Sequence, residues 1–369
     1  MRNRKHMVIA LTLIYCLGAL GRCKGRNGEN IKGMFVFGSS LVDNGNNNYV
    51  RNSSTRADYL PYGIDFLLGP SGRFSNGRNP IDVLGELLKL PGFLPPFTDP
   101  TTKGKKIVHG VNYASGGSGI LDQTGPVTGG VISLNQQIWN FQKITIPDLR
   151  LQLGHTHRQL SSHLSKSLFV LGTGGNDYLL NYFSSTGANH QMSLQDFTNT
   201  LIASFSKQLK WLYGLGGRKF VVLSVQVMGC IPTVRESIGN GSCFEPFNEA
   251  ALLFNQRLKL LVDDIKTQMP ASNLVFVNSY KIIKDIIDNP ISKGFKETRK
   301  ACCERSSNKT SGGVMCERGG RTCGDRASYV FFDGLHPTDA VNKWIAKKAY
   351  GSNRKSEVYP INVKQLVCL

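Results

Sequence analysis

The stretch FVFGSSLVDNGNNN, residues 35–48, closes an apolar run with Gly38, Ser39 and Ser40. A serine hydroxyl is a weak nucleophile until a base takes its proton, and an imidazole does this best when a carboxylate fixes its tautomer and stabilises the imidazolium. Near the other end of the chain, FFDGLHPTDAVN sets Asp333 and His336 three residues apart behind another apolar run. That spacing lets the carboxylate reach Nδ1 while Nε2 faces a serine. Acyl transfer also needs donors aimed at the oxyanion of the tetrahedral intermediate. The backbone N–H of Ser40, the backbone N–H of Gly116 in YASGGSG and the side-chain amide of Asn176 in GGND are the candidates.

Each piece alone has a plainer reading. A Gly-Ser pair after a strand is usually a turn, an Asp-x-x-His a helix start, and a Gly-rich turn a backbone device. Their order along the chain is what points to chemistry. Apolar runs at 34–37, 107–113, 168–172, 220–225, 274–277 and 329–332 read as strands, with helical periodicity at 81–90, 149–164, 194–213, 246–269, 282–287 and 338–350. Alternating strands and helices imply right-handed crossovers and a parallel sheet covered on both faces. Ligands of such sheets sit beyond the carboxyl ends of the strands, and all four polar clusters follow strands. No linker or internal repeat divides the chain, so residues 22–369 read as one α/β domain.

Taken together, these blocks resemble the plant GDSL-type esterase/lipases of the SGNH hydrolase superfamily. The resemblance rests on FVFGSSLVDNGNNN, PYGIDF, GRFSNGRN, GVNYASGGSGIL, GGNDY, MGCIP, FNQRLKLLVDDI, ACCE, FFDGLHPTDAVN and YPINVKQL, and it covers nearly the whole chain after residue 21. It implies a flavodoxin-like three-layer α/β/α fold with a parallel central sheet, hydrolysis of carboxylic esters, and neither metal nor organic cofactor. By the same resemblance Ser40 is the nucleophile, Asp333 and His336 are acid and base, and Gly116 and Asn176 are oxyanion donors. The family reads Gly-Asp-Ser-Leu where this chain has Gly38-Ser39-Ser40-Leu41. The register of Leu41, Val42 and Asp43 favours Ser40 over Ser39, and the missing carboxylate implies a less firmly held loop. An acyltransferase with the same residues, or a non-catalytic binder of wall polysaccharide or lipid, are the alternatives.

Hydrophobic residues make up 40% of the 369 and charged ones 19%, as in a folded protein with a sizeable core. Arg2, Arg4 and Lys5 precede an apolar run to Leu20 and small residues at Ala19 and Gly21, so residues 1–21 read as a signal peptide and the mature protein as secreted, with no transmembrane segment. Losing those three cations lowers the formal charge of +19 by three. The basic balance favours electrostatic association with acidic polysaccharide or anionic lipid, and no nucleic-acid motif is present. Eight cysteines follow the signal, an even number that favours disulfides of undetermined pairing; the group 302–323 lacks the paired spacing of a zinc site. Sequons at Asn52, Asn240 and Asn308 fit the same compartment. Arg73 and Arg78 read either as anion anchors or as structural loop residues.

Overall fold

Five-residue runs with almost no polar interruption build the centre of the protein: β1 (Met34–Gly38), β2 (Leu168–Gly172), β3 (Lys219–Leu223) and β4 (Asn273–Val277). All their residues are buried except the first of β3 and of β4, as expected of parallel strands covered on both faces. The computed structural model describes residues 31–125, 129–184, 192–306 and 313–369. The strands lie side by side in the order β1-β2-β3-β4, all parallel, and one row of the ladder runs Gly38, Gly172, Leu223, Val277 at the carboxyl edge. A second, parallel pair is made by β5 (Glu297–Ala301) and β6 (Tyr329–Phe331), while β7 (Val358–Tyr359) borders β4 antiparallel. This is a mixed α/β fold with a mostly parallel central sheet, as the alternating pattern indicates. Among the described residues no helix is long and apolar enough to cross a membrane.

Two expected strands differ in ways that bear on the site. Residues 107–113 form no regular strand: a 3-10 turn ends at Ile107, and Val111 to Tyr113 run beside β1 through one bridge between Asn112 and Val36. The cause is Gly110, at φ +116°, whose backbone presses so closely on Met34 that an added Cβ would lie 1.9 Å from its carbonyl oxygen. The segment still delivers Ser115 to the sheet edge, where its N–H donates to Gly38 O (2.9 Å). The run 329–332 becomes β6, which pairs with the polar β5 instead of joining the central sheet. The Asp333 cluster therefore comes from a separate two-stranded unit. The helical stretch 149–164 is two helices, Ile146–Gln152 and His157–Ser165, broken where Gly154 and His155 both take positive φ.

Three disulfides join described residues: Cys230–Cys243, Cys302–Cys323 and Cys303–Cys316. The last two take up all four sulfurs of the 302–323 group. Both arginines of GRFSNGRN are structural: Arg73 makes a buried two-point pair with Asp82 (2.7 and 2.8 Å), and Arg78 pairs with Asp339 and Glu86. Asn52 and Asn240 are exposed at positive φ; Asn308 and residues 1–21, read above as a signal peptide, lie outside the described residues.

Candidate active site

Ser40 begins a 3-10 turn directly beyond β1. Its Oγ lies 2.8 Å from His336 Nε2, and His336 Nδ1 lies 2.8 Å from Asp333 Oδ2. Asp333 is fully buried and His336 is 3% exposed, whereas Ser40, at 9%, lines a cleft. The neighbouring Ser39 turns the other way: its Oγ donates to Gly172 O at 3.5 Å, so of the two adjacent hydroxyls only that of Ser40 meets the imidazole.

Asp333 is held from four directions. Oδ1 accepts the backbone N–H groups of Leu335 (2.8 Å) and His336 (2.6 Å), and Oδ2 accepts the Tyr62 hydroxyl (2.7 Å) beside the imidazole. Tyr62 lies 271 residues away in sequence, is fully buried, and accepts the Cys316 N–H (3.1 Å). Burial beside the Asp333 carboxylate pushes its phenol well above the usual tyrosine range, so it stays a donor. Tyr62 lies in the PYGIDF block that carries the resemblance, but nothing local in that block assigns it a role, because its partner comes from another part of the chain. Tyr62→Phe is expected to lower stability by about 1.5–3 kcal/mol, the range for a hydrogen bond to a charged group, and kcat by roughly 10-fold with KM little changed, since a mispositioned triad acts on the chemical step. Urea unfolding and steady-state ester kinetics measure both; unchanged values for both would show the hydroxyl to be idle.

The asparagine run reads locally as a loop, yet Asn44, Asn46 and Asn47 are buried and stitch the Ser40 loop to its neighbours. Asn46 Nδ2 donates to Asn112 O (2.9 Å) and Ala114 O (2.8 Å), and Asn47 Nδ2 donates to Gly116 O (2.8 Å). Asp43 accepts the N–H groups of Gly45, Asn46 and Gly116 at 2.7, 2.8 and 3.0 Å. The Gly116 N–H, expected to face an oxyanion, is therefore engaged by a carboxylate. The next N–H, on Gly117, has no acceptor among the described residues, and neither has that of Ser40. Asn176 lines the same cleft as Ser40 and spends one amide hydrogen on Ser118 O (2.8 Å), leaving the other for a ligand. Asp177 beside it accepts from Ile120 N, Leu121 N and Thr124 Oγ1, which ties this loop to the second one.

Desolvation raises both buried carboxyls, Asp43 and Asp177, to about 6, against the pull of their hydrogen bonds. Because unfolded Asp titrates near 3.9, the native state takes up these protons first. The cost of burying the two charges is fully present above pH 6 and is relieved as pH falls towards 4. His163 acts oppositely: desolvation lowers it to about 4, so its contribution is present above the unfolded value near 6.5 and is lost as pH falls. Asp65, Asp99 and Glu357 are held low, Asp65 by Arg326 and Asn76, Asp99 by Thr101 and Glu357 by Ser352 and Lys348, and lose their contribution only below about 4. With two raised carboxyls against one lowered imidazole, the urea midpoint is expected to be no lower at pH 5 than at pH 7.5, and to drop below pH 4. A steady decline from 7.5 to 5 would contradict the assignment.

A nearly buried serine lining a cleft beyond the carboxyl end of a parallel strand, in contact with a buried imidazole and carboxylate, is an arrangement suited to hydrolase chemistry. The family model for GDSL-like lipase/acylhydrolase matches residues 34–349, and the chain belongs to that family. Three GDSL esterase/lipases of Arabidopsis thaliana are similar over almost their whole length. One is 40% identical over 338 residues, 91% of either chain; another is 40% identical over 368 residues, 98% of this chain and 96% of its own; a third is 41% identical over 348 residues, 93% and 92%. The protein is a carboxylic ester hydrolase of the SGNH type.

Proposed function

We propose that this chain is a secreted serine esterase that works through an acyl-enzyme at Ser40. The observation that carries the proposal is the unbroken chain of contacts from Asp333 through His336 to Ser40, with two links of 2.8 Å ending at a cleft. His336 takes the Ser40 proton as Oγ attacks the ester carbonyl, then returns it to the leaving alcohol. In the second half it takes a proton from water as the acyl group is released. Asp333 orients the ring and stabilises its charged form. The Ser40 N–H and the free amide hydrogen of Asn176 are the oxyanion donors; Gly116 joins them only by releasing Asp43.

In this reading residues 1–21 are removed on export, residues 22–369 form one domain, Asn52, Asn240 and Asn308 are glycan acceptors, and the basic surface favours acidic polysaccharide. A fluorophosphonate probe tests the core of it. Purified wild-type protein is expected to gain one covalent phosphonyl group by intact mass, and Ser40→Ala to gain none while keeping its melting temperature. Labelling that persists in Ser40→Ala would move the nucleophile elsewhere, and no labelling of folded wild type would favour a binding protein.

A further inference from the structure

Two buried carboxylates bracket the loop that lies between Ser40 and Asn176. Asp43 closes the 3-10 turn begun by Ser40, is fully buried, and donates its N–H to Ser40 O (3.4 Å). Its Oδ1 gathers the N–H groups of Gly45 and Asn46 on its own loop, while Oδ2 reaches across to the Gly116 N–H. The Gly116 carbonyl is held as well, by Asn47 Nδ2 (2.8 Å) and Thr55 Oγ1 (3.1 Å). A little further on, Ser118 donates its hydroxyl to Gly38 O (2.9 Å), and its carbonyl accepts one amide hydrogen of Asn176 (2.8 Å). Asp177 fastens the far end of the same loop through Ile120, Leu121 and Thr124. A continuous run of bonds therefore leads from the Ser40 turn to the side chain of Asn176. A side chain this short bridges two segments that both present N–H groups only if both of its ends accept, and a carboxylate does so where the amide of equal shape does not. The charge is otherwise a cost, because Asp43 forms no ion pair among the described residues: Arg73, whose field reaches it, is bonded to Asp82.

We propose that Asp43 is a positioning residue for the oxyanion hole: by tying the Ser40 turn to Gly116 it sets the Ser118 carbonyl, and through that carbonyl the amide of Asn176, against the nucleophile. This rests on the acyl-enzyme reading of Ser40 with Asn176 as an oxyanion donor. Ser118 O takes one amide hydrogen of Asn176 and so fixes the direction of the other, which must meet the Ser40 N–H at a single oxygen as the tetrahedral intermediate forms. Asp43 touches neither substrate nor reacting atom, and its effect on the reaction passes through Asn176. In Asp43→Asn the side-chain oxygen keeps Gly45 and Asn46, but the amide nitrogen turns a donor on the Gly116 N–H and drives that segment away.

The experiment is a double-mutant cycle on p-nitrophenyl acetate, with wild type, Asp43→Asn, Asn176→Ala and the pair, after fluorophosphonate labelling of wild type has established a reactive Ser40. Asp43→Asn is expected to lower kcat by about 100-fold with KM within a few-fold, the effect of a donor displaced by roughly 1 Å. Asn176→Ala is expected to lower kcat by about 100- to 1,000-fold. Adding Asp43→Asn to it should cost less than about 3-fold more, because the donor that Asp43 positions is already gone. Thr55→Val removes one anchor of the Gly116 carbonyl at a half-buried site and repeats the test with the carboxylate intact, so the result does not depend on Asp43→Asn folding. It is expected to lower kcat by about 3- to 10-fold in wild type and to leave Asn176→Ala unchanged. Losses that multiply in the paired variants would place the action of Asp43 elsewhere than on Asn176 and overturn the inference. So would an unchanged kcat in Asp43→Asn, or a raised one, which would make the carboxylate a brake that withholds the Gly116 N–H from the oxyanion. All three results leave the Ser40 reading standing, whereas wild type that takes no label removes that reading itself.

Discussion

His336→Gln is expected to lower kcat/KM on a soluble ester by about 10⁴- to 10⁶-fold, the loss seen when the general base of a serine triad is removed. The glutamine amide can fill part of the ring's space against Phe74, whose centroid lies 4.9 Å from the imidazole, but it cannot take the Ser40 proton. The backbone N–H of residue 336 still donates to Asp333 Oδ1, so the loop keeps its shape. The loss should fall on kcat, with KM within a few-fold, because the proton moves only as the transition state forms. Steady-state kinetics on protein of unchanged melting temperature measures this. A loss below about 10-fold would mean that another group accepts the proton.

A substitution at a residue that takes part in no proton transfer should also be severely damaging. Gly38 takes φ +141° at the end of β1, and a Cβ there would lie 2.2 Å from the Gly172 carbonyl oxygen and 2.8 Å from its carbon. Both are backbone atoms of the neighbouring strand, so nothing flexible can yield. The same glycine is clasped by Gln137, whose side chain accepts the Gly38 N–H (2.8 Å) and donates to Gly38 O (2.9 Å), while Ser118 Oγ also donates to that oxygen (2.9 Å). Gly38→Ala must separate β1 from β2 or rotate the turn that carries Ser40 two residues on. The expected cost is about 4 kcal/mol or more, with phosphonylation of whatever remains folded slowed at least ~100-fold by displacement of Ser40. Gly92→Ala is the comparison: nothing lies within 4 Å of its added Cβ, and a change within about 0.5 kcal/mol is expected. Urea unfolding and labelling rates report the two losses separately, and a Gly38→Ala protein that matches wild type in both would show that the strands have slack.

Much of the fold was legible because its signals are local. A fully buried parallel strand is an uninterrupted apolar run, and MFVFG, LFVLG and LVFV declare themselves without reference to the rest of the chain. Long helices such as Leu194–Gly214 likewise carry their own period. The polar β5 has neither signal, with its residues half-buried or exposed, and β7 is two residues long, so neither showed in the sequence.

By itself the sequence determined the chemistry on offer: a serine at a turn beyond β1, a carboxylate and an imidazole three residues apart, and an asparagine after β2. Only the tertiary structure decided how these meet. It put the Ser40 hydroxyl and not that of Ser39 on His336, gave the Gly116 N–H to Asp43, moved the strand before Asp333 out of the central sheet, and brought Tyr62 across 271 residues to the Asp333 carboxylate. The reason is range. Apolar periodicity depends on neighbours along the chain, whereas a hydrogen bond of 2.7 Å depends on where two distant backbones come to rest, and no residue's own identity or spacing encodes that.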